Sequence, residues 1–201
     1  MSYLARRIAR AAAVCAAPSF FLSALPSANA APVLFAGTGS YYDKIDASID
    51  YGNAKSAASS LTFMGATGHL VAVTSSAENS FLLSTFNPDR YWIGGEQATN
   101  SASTSTGWSW ITGESWAYTA WNSVEPNDGA VGNTVDRNVE NRVIFFPFQS
   151  EFGWNDVPES FVASGFIVEY NVATVVPEAG TLALLGFALV PVGIGIIKRR
   201  K

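Results

Sequence analysis

The chain has 201 residues, of which 14% are charged and 48% hydrophobic, with one cysteine, one histidine and a formal net charge of -4. That whole-chain value hides a strongly acidic middle: residues 31–175 hold five of the 12 Lys and Arg and 15 of the 16 acids, a net charge near -10. Such a surface excludes nucleic acid and anionic lipid as partners, since both need cations. A lone His and a lone Cys also exclude a His/Cys zinc centre and an ordinary serine- or thiol-based hydrolytic triad.

In chain order, residues 1–30 come first. Their basic start (Arg6, Arg7, Arg10), apolar middle and small-residue end Ala28-Asn29-Ala30 read as a secretory signal peptide cleaved after Ala30. Cys15 leaves with it, so the exported domain has neither disulfide nor thiol. Residues 31–175 are long enough to bury one core.

Gly39-Ser-Tyr-Tyr-Asp-Lys-Ile-Asp46 reads as an entry strand. Ala54, Ala57, Ala58 and Leu61 fall at helical spacing, and the pattern predicts a first helix that runs to Gly65-Ala-Thr-Gly68. Leu70-Val-Ala-Val73 reads as a short strand. Ser75 and Glu78 have capping-box spacing, predicting a second helix that ends at Asn87-Pro88. Residues 99–107 form a Ser/Thr-rich loop. From there to Asp156 the chain reads as one long ordered loop, rich in Gly, Asn and Asp but held by Trp108, Trp110, Trp116, Trp121 and Trp154. Gly165-Phe-Ile-Val-Glu-Tyr170 reads as the closing strand. Residues 179–197 carry no charge, are long enough to span a hydrocarbon core as a helix, and are followed by Lys198-Arg199-Arg200-Lys201, which predicts the domain outside and the basic cluster in the cytoplasm.

Three oxygen-rich clusters mark the second half: Glu125-Pro126-Asn127-Asp128, Glu140-Asn141, and Trp154-Asn155-Asp156. Carboxylate and amide oxygens without imidazole or thiolate suit a hard cation. Ca²⁺ takes about 6–8 oxygen ligands and accepts irregular geometry. A plain solvated turn is the competing reading of the acidic stretch. Paired-carboxylate glycosidase chemistry is a further alternative, but nothing singles out a general acid. His69, between a glycine and an apolar run, reads as structural, and the tryptophans read mostly as core, with one near the site able to stack on a sugar.

Several motifs in order resemble the C-type lectin-like domain family. They are Gly68-His69-Leu70-Val71 with Glu78 and Phe81; Trp92-Ile93-Gly94; Trp108-Ser-Trp110 with Gly113-Glu114 and Tyr118-Thr-Ala-Trp121; Glu125-Pro126-Asn127; Glu140-Asn141-Arg142-Val143; Trp154-Asn155-Asp156; and Phe166-Ile-Val-Glu169. The resemblance implies an α+β, C-type lectin-like fold: two helices, two small antiparallel sheets and a long ordered loop, here followed by one C-terminal transmembrane helix. It implies a Ca²⁺ site made by Glu125, Asn127, Glu140, Asn155 and Asp156. Of these, Glu125, Asn127, Glu140 and Asn155 would also hydrogen-bond two neighbouring sugar hydroxyls. The Glu-Pro-Asn version implies mannose-type sugars (mannose, glucose, N-acetylglucosamine, fucose), and Gln-Pro-Asp is the galactose-type counterpart. It further implies a cis Glu125-Pro126 bond and no catalysis. A structural or protein-binding domain that keeps the fold without sugar is the alternative.

Asp128 sits where some members place an auxiliary calcium ligand, although the Ser/Thr-rich loop lacks the acids of a complete second site. The family's two disulfides are absent. Arg142 and Glu159 stand at the two positions of one, which suggests an ion pair there, with two solvent-facing side chains as the alternative. Val168 stands at a position of the other. Val176-Pro177-Glu178, the apolar span and the basic tail are similar to a PEP-CTERM sorting signal of Gram-negative bacteria. That implies handling by an exosortase-type membrane enzyme, an exopolysaccharide or biofilm setting, and a domain anchored in the inner membrane facing the periplasm or released to the cell surface.

Overall fold

The computed structural model describes residues 31–148 and 151–173. The expected signal peptide and the anchor at 176–201 lie outside these residues. Among the described residues no helix is long and apolar enough to cross a membrane.

The elements are β1 (Val33–Leu34), β2 (Tyr41–Ile49), α1 (Tyr51–Ser60), β3 (Thr62–Phe63), β4 (Ala66–Leu70), α2 (Ser76–Phe86), β5 (Tyr91–Gln97), β6 (Trp108–Trp110), β7 (Arg142–Phe148), β8 (Glu151–Val157) and β9 (Ala163–Tyr170). Asp50 caps α1 by accepting from Asn53 N at 2.9 Å. The helix stops at Ser60, short of the expected Gly65, because Leu61 is already extended. Met64 and Gly65 instead make the β3–β4 turn, both with positive φ. α2 follows the expected pattern: Ser75 Oγ accepts from Glu78 N at 3.2 Å, and Asn87 ends the helix in the left-handed region.

The strands run β1-β2-β9-β5-β7-β8, with β4 added on β9 and β6 on β5. The expected pair of small antiparallel sheets is therefore corrected to one continuous, mixed path. The join is a parallel pairing of β5 with β9, Tyr91 opposite Gly165 and Trp92 opposite Phe166. Gly165 permits the join: a Cβ there would lie 2.0 Å from Ile45 O and 2.6 Å from the Tyr91 ring. Two clusters of buried side chains make up the core. One includes Tyr42, Leu82, Ile93, Trp110, Phe145 and Trp154, and the other Tyr51, Ala54, Ala58, Trp92, Ile144 and Val168.

The long loop expected up to Asp156 is also corrected. β6, β7 and β8 lie inside that stretch, with β7 and β8 paired antiparallel, Val143 opposite Asp156 and Ile144 opposite Asn155. The irregular part is residues 111–141, apart from a bridge at Trp121.

Arg142 and Glu159 form the suggested ion pair, Nη2 to Oε2 at 2.8 Å. The Arg142 guanidinium also sits 5.0 Å from the centre of the Tyr51 ring. With Glu159 57% exposed, such a pair is worth about 0–1 kcal/mol, against roughly 2–4 for a disulfide. Val168 is fully buried in the same cluster as Ala58.

Candidate functional site

Trp154 anchors the site. It is fully buried, its ring centroid lies 5.5 Å from that of Trp110 and 5.8 Å from that of Trp121, and its indole N–H donates to Asn79 Oδ1 at 3.1 Å. Its backbone is pinned on the same β8 edge by residues 120–122: Trp154 N donates to Ala120 O at 2.8 Å, and Asn122 N donates to Trp154 O at 3.0 Å. This close approach requires Gly153, because a Cβ there would lie 2.5 Å from Asn122 Oδ1 and 2.7 Å from Ala120 O. The tryptophans are core as expected: Trp92, Trp108, Trp110 and Trp154 are buried, while Trp116 and Trp121 are half-buried against them.

With Trp154 fixed, β8 delivers Asn155 and Asp156. Asp156 is 1% exposed and accepts backbone N–H bonds from the opposing loop: Asn127 N at 3.0 and 3.1 Å to its two oxygens, and Asp128 N at 2.8 Å. The Glu125-Pro126 bond is cis, as expected. Glu125 N donates to Asn122 O at 2.9 Å, and Asn127 Nδ2 donates to Glu125 Oε2. The structure thus brings Glu125, Asn127 and Asp156 into one hydrogen-bonded group, with Asn155 beside Asp156 on β8.

The electrostatics extend the group to Glu140. Glu125 is pushed up to about 8, first by burial, then by the charge and hydrogen bond of Asp156 and the charge of Glu140. Glu140 is pushed up to about 7 by burial and by Asp156, against a backbone N–H from Gly129. Burial also raises Asp156, against the Asp128 and Asn127 amides. Among the described residues no Lys, Arg or His stands within ion-pair distance of these three acids. Asn155 Oδ1 is buried without a hydrogen-bond partner. Among the described residues no three Asp, Glu, His or Cys side chains converge into a metal-binding group as they stand.

Asp128 behaves differently. Its side chain accepts from Arg137 N, Val139 N and Glu140 N, each at 2.7 Å, and pairs with Arg137 Nε at 3.7 Å. Gln97, Asn122 and Asn133 are organising residues that the motif reading does not single out. Gln97 Nε2 donates to the carbonyls of Ser103, Thr104 and Thr106, at 3.1, 3.1 and 2.9 Å, shaping the Ser/Thr-rich loop. Asn122 Nδ2 donates to Phe146 O, and Asn133 Nδ2 to Asn127 O. A buried amide bonded to backbone has no sequence signature, so only its position beside a motif could flag it.

A second acidic group surrounds Tyr42, whose hydroxyl donates to Glu78 Oε1 at 2.7 Å. Glu78 Oε2 accepts from Thr74 N and Oγ1, and Glu169 accepts from Ala72 N. With Thr38, Ser40 and Glu114 these acids line a cavity of about 460 Å³ that includes none of the five candidate residues. His69 lies on β4 against Leu70 O and Asn171.

The Lectin C-type domain family matches residues 57–142, which include Glu125, Asn127 and Glu140. Among solved structures, the C-type lectin CEL-I from Cucumaria echinata superposes with a TM-score of 0.53 at 20% identity, covering 67% of this chain and 91% of that one. The C-type lectin domain of murine dendritic cell inhibitory receptor 2, in complex with N-glycan, gives a TM-score of 0.50 at 26% identity over 65% and 89%. Halomucin of Haloquadratum walsbyi is 26% identical over 146 residues, 66% of this chain but only 1% of its own length. The fold is C-type lectin-like.

Proposed function

We propose that residues 31–175 form a calcium-dependent carbohydrate-binding module without catalytic activity. It recognises neighbouring equatorial hydroxyls of mannose-type sugars, on an exopolysaccharide or surface glycan. The observation that carries this reading is an uncompensated set of oxygen donors. Half-buried Glu125 and Glu140 both face the charge of Asp156, no Lys, Arg or His pairs with the three among the described residues, and Asn155 Oδ1 has no partner.

This donor set fits Ca²⁺, and Glu125, Asn127, Glu140, Asn155 and Asp156 would hold it. When bound, the ion would neutralise the carboxylates and offer further coordination positions to two sugar hydroxyls. The chain's own part is hydrogen bonding: Glu125 and Glu140 accept from hydroxyls, and the Asn127 and Asn155 amides donate to them. That pairing suits two equatorial hydroxyls on adjacent carbons.

In the same reading, the chain is exported after removal of residues 1–30. Residues 176–201 are the membrane anchor and the substrate of an exosortase-type enzyme. The domain then faces the periplasm, or reaches the surface once the tail is processed.

One observation favours a second reading, a calcium-stabilised structural or protein-binding domain. Asp156 ties the loop to β8 through backbone amides, a contact that needs no sugar.

The test is a panel of mannose-type and galactose-type glycans, probed with calcium and with EDTA. Calcium-dependent binding to the mannose-type set is expected, and E125Q/N127D should move it to the galactose-type set. Folded, calcium-loaded protein that binds no glycan would select the second reading.

A further inference from the structure

We infer that Asp128 is a strut and not a ligand: with Arg137 it fills the place of a second cation and holds Glu140 in position for a single calcium ion. This rests on the calcium reading of the five-residue set.

The argument is one of acceptor capacity. A carboxylate offers about four lone-pair positions, two on each oxygen. Asp128 Oδ1 accepts from Val139 N and Glu140 N, both at 2.7 Å. Oδ2 accepts from Arg137 N at 2.7 Å and faces Arg137 Nε at 3.7 Å. Three of the four positions are filled by short hydrogen bonds, the Arg137 guanidinium stands at ion-pair distance from the fourth, and the side chain is 1% exposed. Arg137 closes the clasp by donating Nη2 to Asp128 O at 3.3 Å. The residue is also fixed from behind, since its own N–H donates to Asp156 at 2.8 Å. Its φ of 51° lies in the left-handed region, which Asp and Asn tolerate best among non-glycine residues.

The facing loop is tied in by neutral groups. Thr104 N donates to Thr134 O and Thr104 Oγ1 to Asn133 O, each at 3.4 Å, and Asn133 Nδ2 donates to Asn127 O at 3.2 Å. Gln97 holds Thr104 through its carbonyl. Loop 98–107 thus meets loop 127–140 by hydroxyl, amide and backbone bonds. Asp128 thereby acts as a positioning residue: it binds the amide of Glu140, whose side chain belongs to the calcium set.

The test uses the full chain in detergent micelles. Residue-resolved amide exchange is measured in EDTA, and calcium stoichiometry is measured by titration. Arg137, Val139 and Glu140 amides should be protected without calcium, and D128N should lower that protection by about tenfold or more. Wild type should bind one ion per chain. D128N should still bind one, about 10–100-fold more weakly, as for residues that orient metal ligands. R137Q, at an exposed side chain, serves if D128N fails to fold: it should weaken binding a few-fold and leave the stoichiometry at one. Two ions per wild-type chain, falling to one in D128N, would overturn the inference by making Asp128 a ligand. Amides that exchange freely in EDTA and gain protection only with calcium would overturn it too. Protected amides in a wild-type chain that binds no calcium would defeat it differently, by removing the calcium reading on which it rests.

Discussion

Asp128 and Glu125 lie in the same loop and differ in what surrounds them. Asp128 is buried among three backbone N–H groups and a guanidinium. Glu125 is partly buried beside Asp156 and Glu140, and its carboxyl is pushed up to about 8 by burial and then by those acids. A buried charge that the fold compensates is part of the fold. A buried charge left facing others of its own sign needs a proton or an outside cation. The contrast separates structural acids from ligand-binding acids more sharply than any count of carboxylates.

Breaking the compensated side should have the largest effect. D128A strips three amides of their acceptor and leaves Arg137 without its partner, a cost of about 3 kcal/mol, readable by urea unfolding in EDTA. Next comes the close approach of residues 120–122 to β8. G153A drives a methyl into Ala120 O and Asn122, at an expected cost of about 1–3 kcal/mol and with weakened calcium binding.

The uncompensated side should respond to pH. Glu125 has its folded value raised from 4.5 to about 8, so its contribution is fully present below about 4.5 and is lost as pH rises through about 8. The Tm in EDTA should therefore fall across that window, less steeply in E125Q, and added calcium should suppress the fall. A Tm in EDTA that rises from pH 5 to 8 would contradict the comparison. The smallest effect belongs to the Arg142–Glu159 pair: E159Q should cost about 1 kcal/mol, because Glu159 is exposed and the largely buried Arg142 keeps the Asn141 carbonyl and the Tyr51 ring.

Much of this contrast was legible in the sequence, but not its sign. Glu125, Asn127, Glu140, Asn155 and Asp156 stood out by residue type and order, and α2 by Ser75 and Glu78. Asp128 reads in the sequence as a candidate auxiliary calcium ligand, because backbone amides that bind a carboxylate leave no mark in a list of side chains. β8 was hidden for a related reason. In Phe152-Gly-Trp-Asn-Asp156 the strand-disfavouring Gly153, Asn155 and Asp156 outnumber the two aromatics, and pairing with Arg142–Phe148 prevails over that local preference. The first helix ends early because Thr62 and Phe63 pair with β4 in a hairpin. The join of β5 to β9 depends on backbones meeting at Gly165, which no hydrophobic pattern announces.

The strand order has a geometric consequence. β1 and β8 occupy opposite ends of the sheet path, and the groove beside β1 is lined by Leu34, Ala36, Val172 and Ala173, so the first and last described residues lie close together on the β1 side. Asn155 and Asp156 sit five strand steps away, about 24 Å along the sheet. Copies tethered side by side through either end would all hold their β8 edges away from the tether. Under the carbohydrate-binding proposal, retention of a repeating polymer would then depend on how densely copies are planted, since each bound unit raises the effective concentration of the next.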